Sequence, residues 1–267
     1  MVSNLVIVFC VIGSTLGIFG SSFFIIVYLS FEEIRTRFRL FVLTLSIYNF
    51  LIDVSLLLPG FTNHKICLAQ SFLTNYSFSE AYFWIFLIAL IYYLEVCKGY
   101  NCENSIKFYW ISNLFIQIIG LLFGILIVVF GNPTKETSYW CSDSTRWLMS
   151  IEYSFVAVAL LGALILYSLV VHKIRKEKDP VYSKSFQIKM LSIAILYILT
   201  ELWNIIKRVW QIFQNTKNSN DFFDATQAFF TPLIGFWDFV FFVWGDKLVW
   251  ALLLNKCTSR SFITLRD

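Results

Sequence analysis

Seven apolar stretches, each long enough to cross a bilayer, divide this chain at about residues 5–29, 40–59, 67–94, 108–130, 147–171, 188–210 and 223–244. A hydrocarbon core is about 30 Å thick and an α-helix rises about 1.5 Å per residue, so roughly twenty apolar residues span it. Inside lipid every backbone N–H and C=O must be satisfied within the protein, which leaves a helix bundle as the way to place such stretches. The expected fold is an all-α membrane protein, a single seven-transmembrane-helix domain over residues 1–267 ending in a short cytosolic tail at 245–267. Composition agrees, with 58% hydrophobic and only 14% charged residues, against about 25% charged in soluble domains. No cleavable signal peptide is read at the N-terminus: the first apolar run is too long for an h-region, has no basic n-region, and is expected to act as a signal anchor. No internal repeat is visible, which argues against transporters built from duplicated halves.

The distribution of basic residues orients the bundle. With the N-terminus outside, 15 of the 21 lysines and arginines fall on the cytosolic side. That bias predicts N-terminus out and C-terminus in. Arg35, Arg37, Arg39, Lys98, Lys173, Arg175, Lys176 and Lys178 then cluster on inner loops, where they anchor the helices or receive a cytosolic partner. A net charge of +4 carries no argument for nucleic acid in such a chain. Of the six cysteines, Cys67 and Cys141 fall on the oxidising face in this topology, and Cys141 is the candidate partner of Cys67. Cys97 and Cys102 fall in the reducing cytosol, and Cys257, just past the last helix, is either a plain thiol or a palmitoylation site.

The third stretch is unusual for lipid. From Cys67 it carries Gln70, Ser71, Thr74, Asn75, Ser77, Ser79 and Glu80 before turning apolar and aromatic. A helix this polar must be surrounded by others, with its polar half lining a cavity. Four acids, Asp53, Glu80, Glu201 and Asp238, lie near mid-membrane. An ionised carboxylate there costs about 2.5–3.5 kcal/mol on insertion scales. Two uses are open. They form the floor of a cavity for a cation or proton, with an anionic ligand at a rim made by Lys207 and Arg208. Alternatively they hydrogen-bond to neighbours such as Asn49, Asn113, Gln117 and Asn204, while Lys207 and Arg208 snorkel to headgroups. Candidate ligand contacts are Asn75, Glu80, Glu152, Glu201, Asn204, Lys207, Arg208 and Gln227, with Asp53 and Asp238 as buried polar candidates. The first helix bears Gly13, Gly17 and Gly20 beside Ser14 and Ser21, a small-residue face expected to pack within the bundle, with a homodimer as the alternative.

Enzymatic chemistry finds no constellation. His64 and His172, the only histidines, are predicted in loops on opposite sides, so no metal centre assembles. No lysine sits mid-membrane in the seventh helix to hold a Schiff base. No catalytic residue, metal or cofactor is assigned.

Seven helices, N-terminus out, with one cysteine opening the third helix and another in the second outer loop, resemble a G-protein-coupled receptor. The rhodopsin-like signatures are missing: the third helix ends Tyr93-Leu94-Glu95-Val96-Cys97-Lys98, and the seventh reads Trp237-Asp238-Phe239-Val240-Phe241. The chain is more similar to the cyclic-AMP-receptor-like family of social amoebae and other protists. Cys67, Tyr76-Ser77-Phe78, Trp84 and Ile91-Tyr92 match in the third helix, and Trp140-Cys141 follows Gly131-Asn132 in the outer loop. Ser185-Phe186-Gln187-Ile188-Lys189 opens the sixth helix, which carries Arg208, and Gly235-Phe236-Trp237 with Trp250 completes the series, over about residues 35–255. The resemblance implies a plasma-membrane receptor that binds an extracellular small-molecule ligand among its helices and activates a heterotrimeric G protein. It also implies a structural Cys67–Cys141 disulfide, and a family arginine at Arg208 suited to a phosphate-bearing ligand. The cytosolic end of the third helix is less basic than the family's, and Thr258, Ser259, Ser261 and Thr264 stand where the family has a long Ser-rich tail. The competing expectation is a proton- or cation-coupled transporter or channel using the buried carboxylates. A membrane scaffold without signalling is the third.

Overall fold

The computed structural model describes residues 4–58, 64–100, 106–131, 133–135, 141–143, 146–177, 195–203, 205, 206, 209, 221–244 and 249–254. Among these residues six helical spans are long and apolar enough to cross a membrane: Asn4–Ser30, Arg39–Leu57, His64–Lys98, Lys107–Phe130, Ser150–Lys176 and Phe222–Val243. The chain is a multi-pass helical membrane protein. The spans coincide with the predicted first five and seventh segments. The predicted sixth, 188–210, is described as helix over 195–203.

Helices α1 (Asn4–Ser30), α2 (Arg37–Leu57), α3 (His64–Lys98), α4 (Ile106–Phe130) and α5 (Arg146–Glu177) are continuous. Their many Ile, Val and Phe residues would weaken a helix in water, but in lipid the backbone has no other way to pair its polar groups. Their ends are set by side chains. The Arg35 guanidinium donates to the carbonyls of Tyr28 and Leu29 at 3.3 and 2.6 Å, closing the end of α1. Thr36 caps α2 by accepting from the Arg39 N–H at 3.2 Å. Leu58 turns extended after α2, the conformation favoured before Pro59. Gly99, with φ 71°, returns its N–H to the Glu95 carbonyl at 3.1 Å and ends α3.

The predicted seventh segment is not one regular helix. It comprises α7 (Asp221–Phe230), a 3-10 turn at Thr231–Leu233, α8 (Ile234–Phe239) and a π turn at Val240–Trp244. Pro232 lies in the 3-10 turn; it has no N–H to give, and in a regular α-helix its ring would clash with the carbonyl one turn before it. Two further departures from prediction are local. His64 and His172 lie on α3 and α5, not in loops, because both helices continue past their apolar windows. Two three-residue strands, β1 (Pro133–Lys135) and β2 (Cys141–Asp143), pair antiparallel with Lys135 opposite Cys141 in a chain whose described residues are otherwise almost entirely helical.

Contacts give the helix directions. Tyr82 and Tyr153 line a common cavity, Phe86 meets Gly162, and the rings of Tyr92 and Tyr167 lie 6.5 Å apart, so α3 and α5 run parallel. Phe9 with Phe229, Gly20 with Gly235 and Phe24 with Phe242 make α1 parallel to α7–α8. Ser55 with Thr74 and Phe41 with Trp84 make α2 and α3 antiparallel. Residues 195–203 form α6. Tyr197 beside Asp238 and Trp203 beside Phe222 make it antiparallel to α7–α8. Helix α3 packs on α2, α4 and α5, and its fully buried Trp84 packs at a tilt against Phe41 and Tyr109, 5.8 Å from each.

The glycine face of α1 seats inside the bundle, against the broken helix. A Cβ at Gly17 would strike the Asp53 carboxylate and the Pro232 carbonyl, and one at Gly235 would strike Ser21 Oγ and the Gly17 carbonyl. Small residues are what allow two backbones this close.

Candidate functional site

At the Cys67 end of the bundle lies a cavity with about 620 Å³ of non-atom space, open solvent at its mouth included. Helix α3 contributes Thr74, Asn75, Phe78 and Tyr82; α5 contributes Glu152, Tyr153 and Val156; α6 contributes Glu201; and Gln227, Ala228, Thr231 and Pro232 come from α7 and its 3-10 turn. Leu56 of α2 and Cys141 of β2 complete the wall.

Two links hold β2 over this cavity. Cys67 and Cys141, 74 residues apart in sequence, form a disulfide with their Cα atoms at 5.4 Å. One turn further along α3, fully buried Gln70 accepts from the Cys141 N–H at 3.0 Å. Its amide donates to the carbonyls of Ser55 and Leu58 at 2.9 and 2.8 Å. One side chain thus satisfies backbone groups of β2 and of the α2 terminus, groups that would be costly if buried unpaired.

Within the cavity, the Tyr82 ring stacks on Phe78 at 5.9 Å and its hydroxyl is within electrostatic reach of Glu201, Tyr153 and Glu152. Tyr82 is buried with its hydroxyl directed to Glu201, and Thr231 Oγ1 is buried without a hydrogen-bond partner among the described residues. Asn75 gives its amide N–H to the Ser71 carbonyl at 2.6 Å, which leaves its own carbonyl as an acceptor. Thr74 is tied to Ser55 Oγ at 2.8 Å.

Deeper in the bundle the remaining acids occupy separate surroundings. Asp238 Oδ2 accepts from Ser46 Oγ and Asn49 Nδ2, each at 2.9 Å, and its other oxygen lies 3.4 Å from the Tyr197 hydroxyl. That arrangement joins α2, α6 and α8 and matches the hydrogen-bonded alternative for a buried acid. Tyr197→Phe is expected to lower stability by about 1–2 kcal/mol, the loss of a hydrogen bond to a buried carboxylate. A chemical-unfolding midpoint equal to wild type would contradict it. Asp53 Oδ2 is wedged between Gly17 and Gly235. Glu80, fully buried, faces α4, where a Cβ at Gly120 would run into its carboxylate. The Glu80 carboxylate lies beside the Tyr48 hydroxyl and the Trp84 indole N–H. Beside it, Gln117 donates to the Tyr48 hydroxyl at 3.2 Å.

Of the ligand contacts read from the sequence, Asn75, Glu152, Glu201 and Gln227 line one cavity, and Glu80 does not. Asn204, Lys207 and Arg208 lie outside the described residues. Sequence reasoning placed Thr74 in the cavity-lining half of the third helix but missed Tyr82, Tyr153 and Thr231. Helical spacing carried the signal for two of them: Tyr82 is two turns beyond Asn75, and Thr231 one turn beyond Gln227, on the same faces. At the opposite end of α3 and α5, Lys98, Arg175 and Lys176 are exposed and Lys173 is half-buried. Arg35 binds the α1 terminus and Glu32 at 3.7 Å, and Arg39 donates to the Ile34 carbonyl at 3.3 Å. Arg37 lies in the first turn of α2, and Lys178 is outside the described residues. No protein-family model matches the chain, and no curated protein matches it.

Proposed function

We propose that this chain is a seven-helix receptor of the G-protein-coupled type, with its N-terminus outside, its C-terminus in the cytosol, and the plasma membrane as its site. An extracellular small molecule binds in the cavity, and a heterotrimeric G protein binds at the other end. The observation that carries the reading is the cavity itself: polar side chains from α3, α5, α6 and α7 converge beneath a strand tied to α3 by a disulfide. Exposed basic residues gather where α3 and α5 end together, away from that cavity. A ligand acts through its differential affinity for two arrangements of the helices it touches, and the cytosolic ends of those helices form a groove for a Gα C-terminal helix. The acids do not favour a transport path: Glu201 lines the cavity, Glu80 faces α4, and Asp53 and Asp238 lie among α1, α2 and α8.

The test is capture of the host's Gα subunits by the purified protein after apyrase strips nucleotide, followed by release with GTPγS. Reversible capture is expected. Joint reversal of Lys173, Arg175 and Lys176 to Glu should abolish it and leave surface expression intact. Capture unchanged by the reversal removes that surface from the proposal. Absence of capture, together with proton flux in liposomes, would replace the receptor by a transporter.

A further inference from the structure

A second cavity adjoins the first and gives its ligand a route and a chemistry, an inference that rests on the receptor reading above. It lies between α3, α4 and α5 and holds about 220 Å³ of non-atom space, its open side included. Tyr82, Glu152 and Val156 line both cavities, so these three side chains form the partition between them. The other walls are mostly apolar, with Phe83 of α3, Phe123 of α4, and Phe155 and Ala159 of α5.

This crevice faces hydrocarbon. Phe155 lies five residues inside the Ser150–Lys176 span, and Phe123 seven residues before the end of Lys107–Phe130. At 1.5 Å per residue both rings sit about 8 to 10 Å into the leaflet on the Cys67 side. Phe155 is exposed, and among the described residues α4 leans on α3 and scarcely touches α5. The two rings meet edge to face at 5.2 Å and close the lipid side. Exposed side chains change rotamer within nanoseconds, so such a closure swings. The water side is built otherwise: β2, whose Cys141 is part of the cavity wall, is fastened by a disulfide and by Gln70.

We propose that the cavity is loaded from the bilayer and that its ligand is a single-chain amphiphile. The apolar chain lies in the crevice between α3, α4 and α5, against Phe83, Phe123 and Phe155. The polar head passes the partition into the larger cavity, whose walls include the hydrogen-bonding side chains of Asn75 and Gln227. A bare lipid tail would fit the crevice alone, and a polar solute the cavity alone. Their junction at Tyr82, Glu152 and Val156 fits a molecule with both parts.

The experiment photolabels the full chain in phosphatidylcholine nanodiscs with a monoacylglycerol carrying a diazirine in its chain. Saturable labelling is expected on the peptides of Phe83, Phe123 and Phe155, displaced by monooleoylglycerol and not by glycerol. An alkane with the same diazirine chain and no head should label them about tenfold more weakly. Ala159→Phe fills the crevice and should cut the labelling about tenfold. Phe155→Ala, at an exposed position, should speed exchange of the probe. Labelling that rises linearly with probe and follows exposure around the bundle means annular lipid alone and overturns the proposal. Equal labelling by the alkane overturns it too, as does labelling indifferent to both substitutions. If Ala159→Phe does not fold, Phe155→Ala decides by itself. Gα capture on the same preparation separates the two readings. Capture without saturable labelling leaves the receptor and removes the amphiphile; labelling without capture does the reverse.

Discussion

Gly17→Val is expected to prevent the bundle from closing. A side chain at this position meets the Asp53 carboxylate on one side and the Pro232 carbonyl on the other. Neither can move aside cheaply, because one belongs to a buried acid and the other to the backbone of the broken helix. Gly235 faces the same contact from the other strand of backbone, with Ser21 Oγ and the Gly17 carbonyl in the way. Valine adds three heavy atoms where there is room for none, and overpacking against backbone costs about 3 kcal/mol or more. Gly162→Ala is the matched control. Its added carbon meets only the outer ring atoms of Phe86, which can swing, so about 1 kcal/mol or less is expected. Melting temperature and monodispersity in detergent check both variants. A Gly17→Val protein that melts with wild type would show that α1 does not seat on the α7–α8 break.

Removal of the disulfide has the second large effect. Cys67→Ser with Cys141→Ser frees a loop of 74 residues, and the chain-entropy model assigns such a closure about 4 kcal/mol. That figure is a ceiling here, because α3 and α4 stay threaded through the bilayer and the released chain regains less freedom than a soluble loop. Gln70 retains its three hydrogen bonds and holds β2 in part. The double variant should melt lower than wild type, each single variant should match the double, and reductant should lower the wild type alone. The cavity is expected to suffer more than the fold, since Cys141 is part of its wall. A double variant that melts with wild type would assign the hold on β2 to Gln70.

The spans were legible because lipid imposes a simple demand. Twenty apolar residues mean a helix, so α1 to α4 were placed to within a few residues, while α5 runs six residues beyond its predicted end. The glycine face of α1 was legible for a similar reason, small residues at helical spacing having few other uses. The break in the last helix was not anticipated, although Pro232 stood in the middle of it. Hydropathy does not register a missing N–H. The site was read in part. Asn75, Glu152, Glu201 and Gln227 stood out as polar residues in apolar stretches, and the fold brings them together. Glu80 stood out equally and faces another way, because polarity at a position does not say which neighbour its helix face meets. Tyr82 was missed because a tyrosine in an aromatic run looks like core until its hydroxyl is placed.

The seat of α1 on the α7–α8 break bears on how the molecule is made. Gly17 and Gly235 touch across more than two hundred residues of chain. At roughly 5–20 residues per second of synthesis, α1 waits roughly ten to forty seconds for the backbone it must meet. For that interval its small-residue groove is unfilled and the Asp53 carboxylate on α2 lacks the wall that later encloses it. Biogenesis therefore ends with a ring closure between an early helix and a late one, and the quality-control machinery of the membrane has a defined defect to recognise: a chain whose ring has not shut.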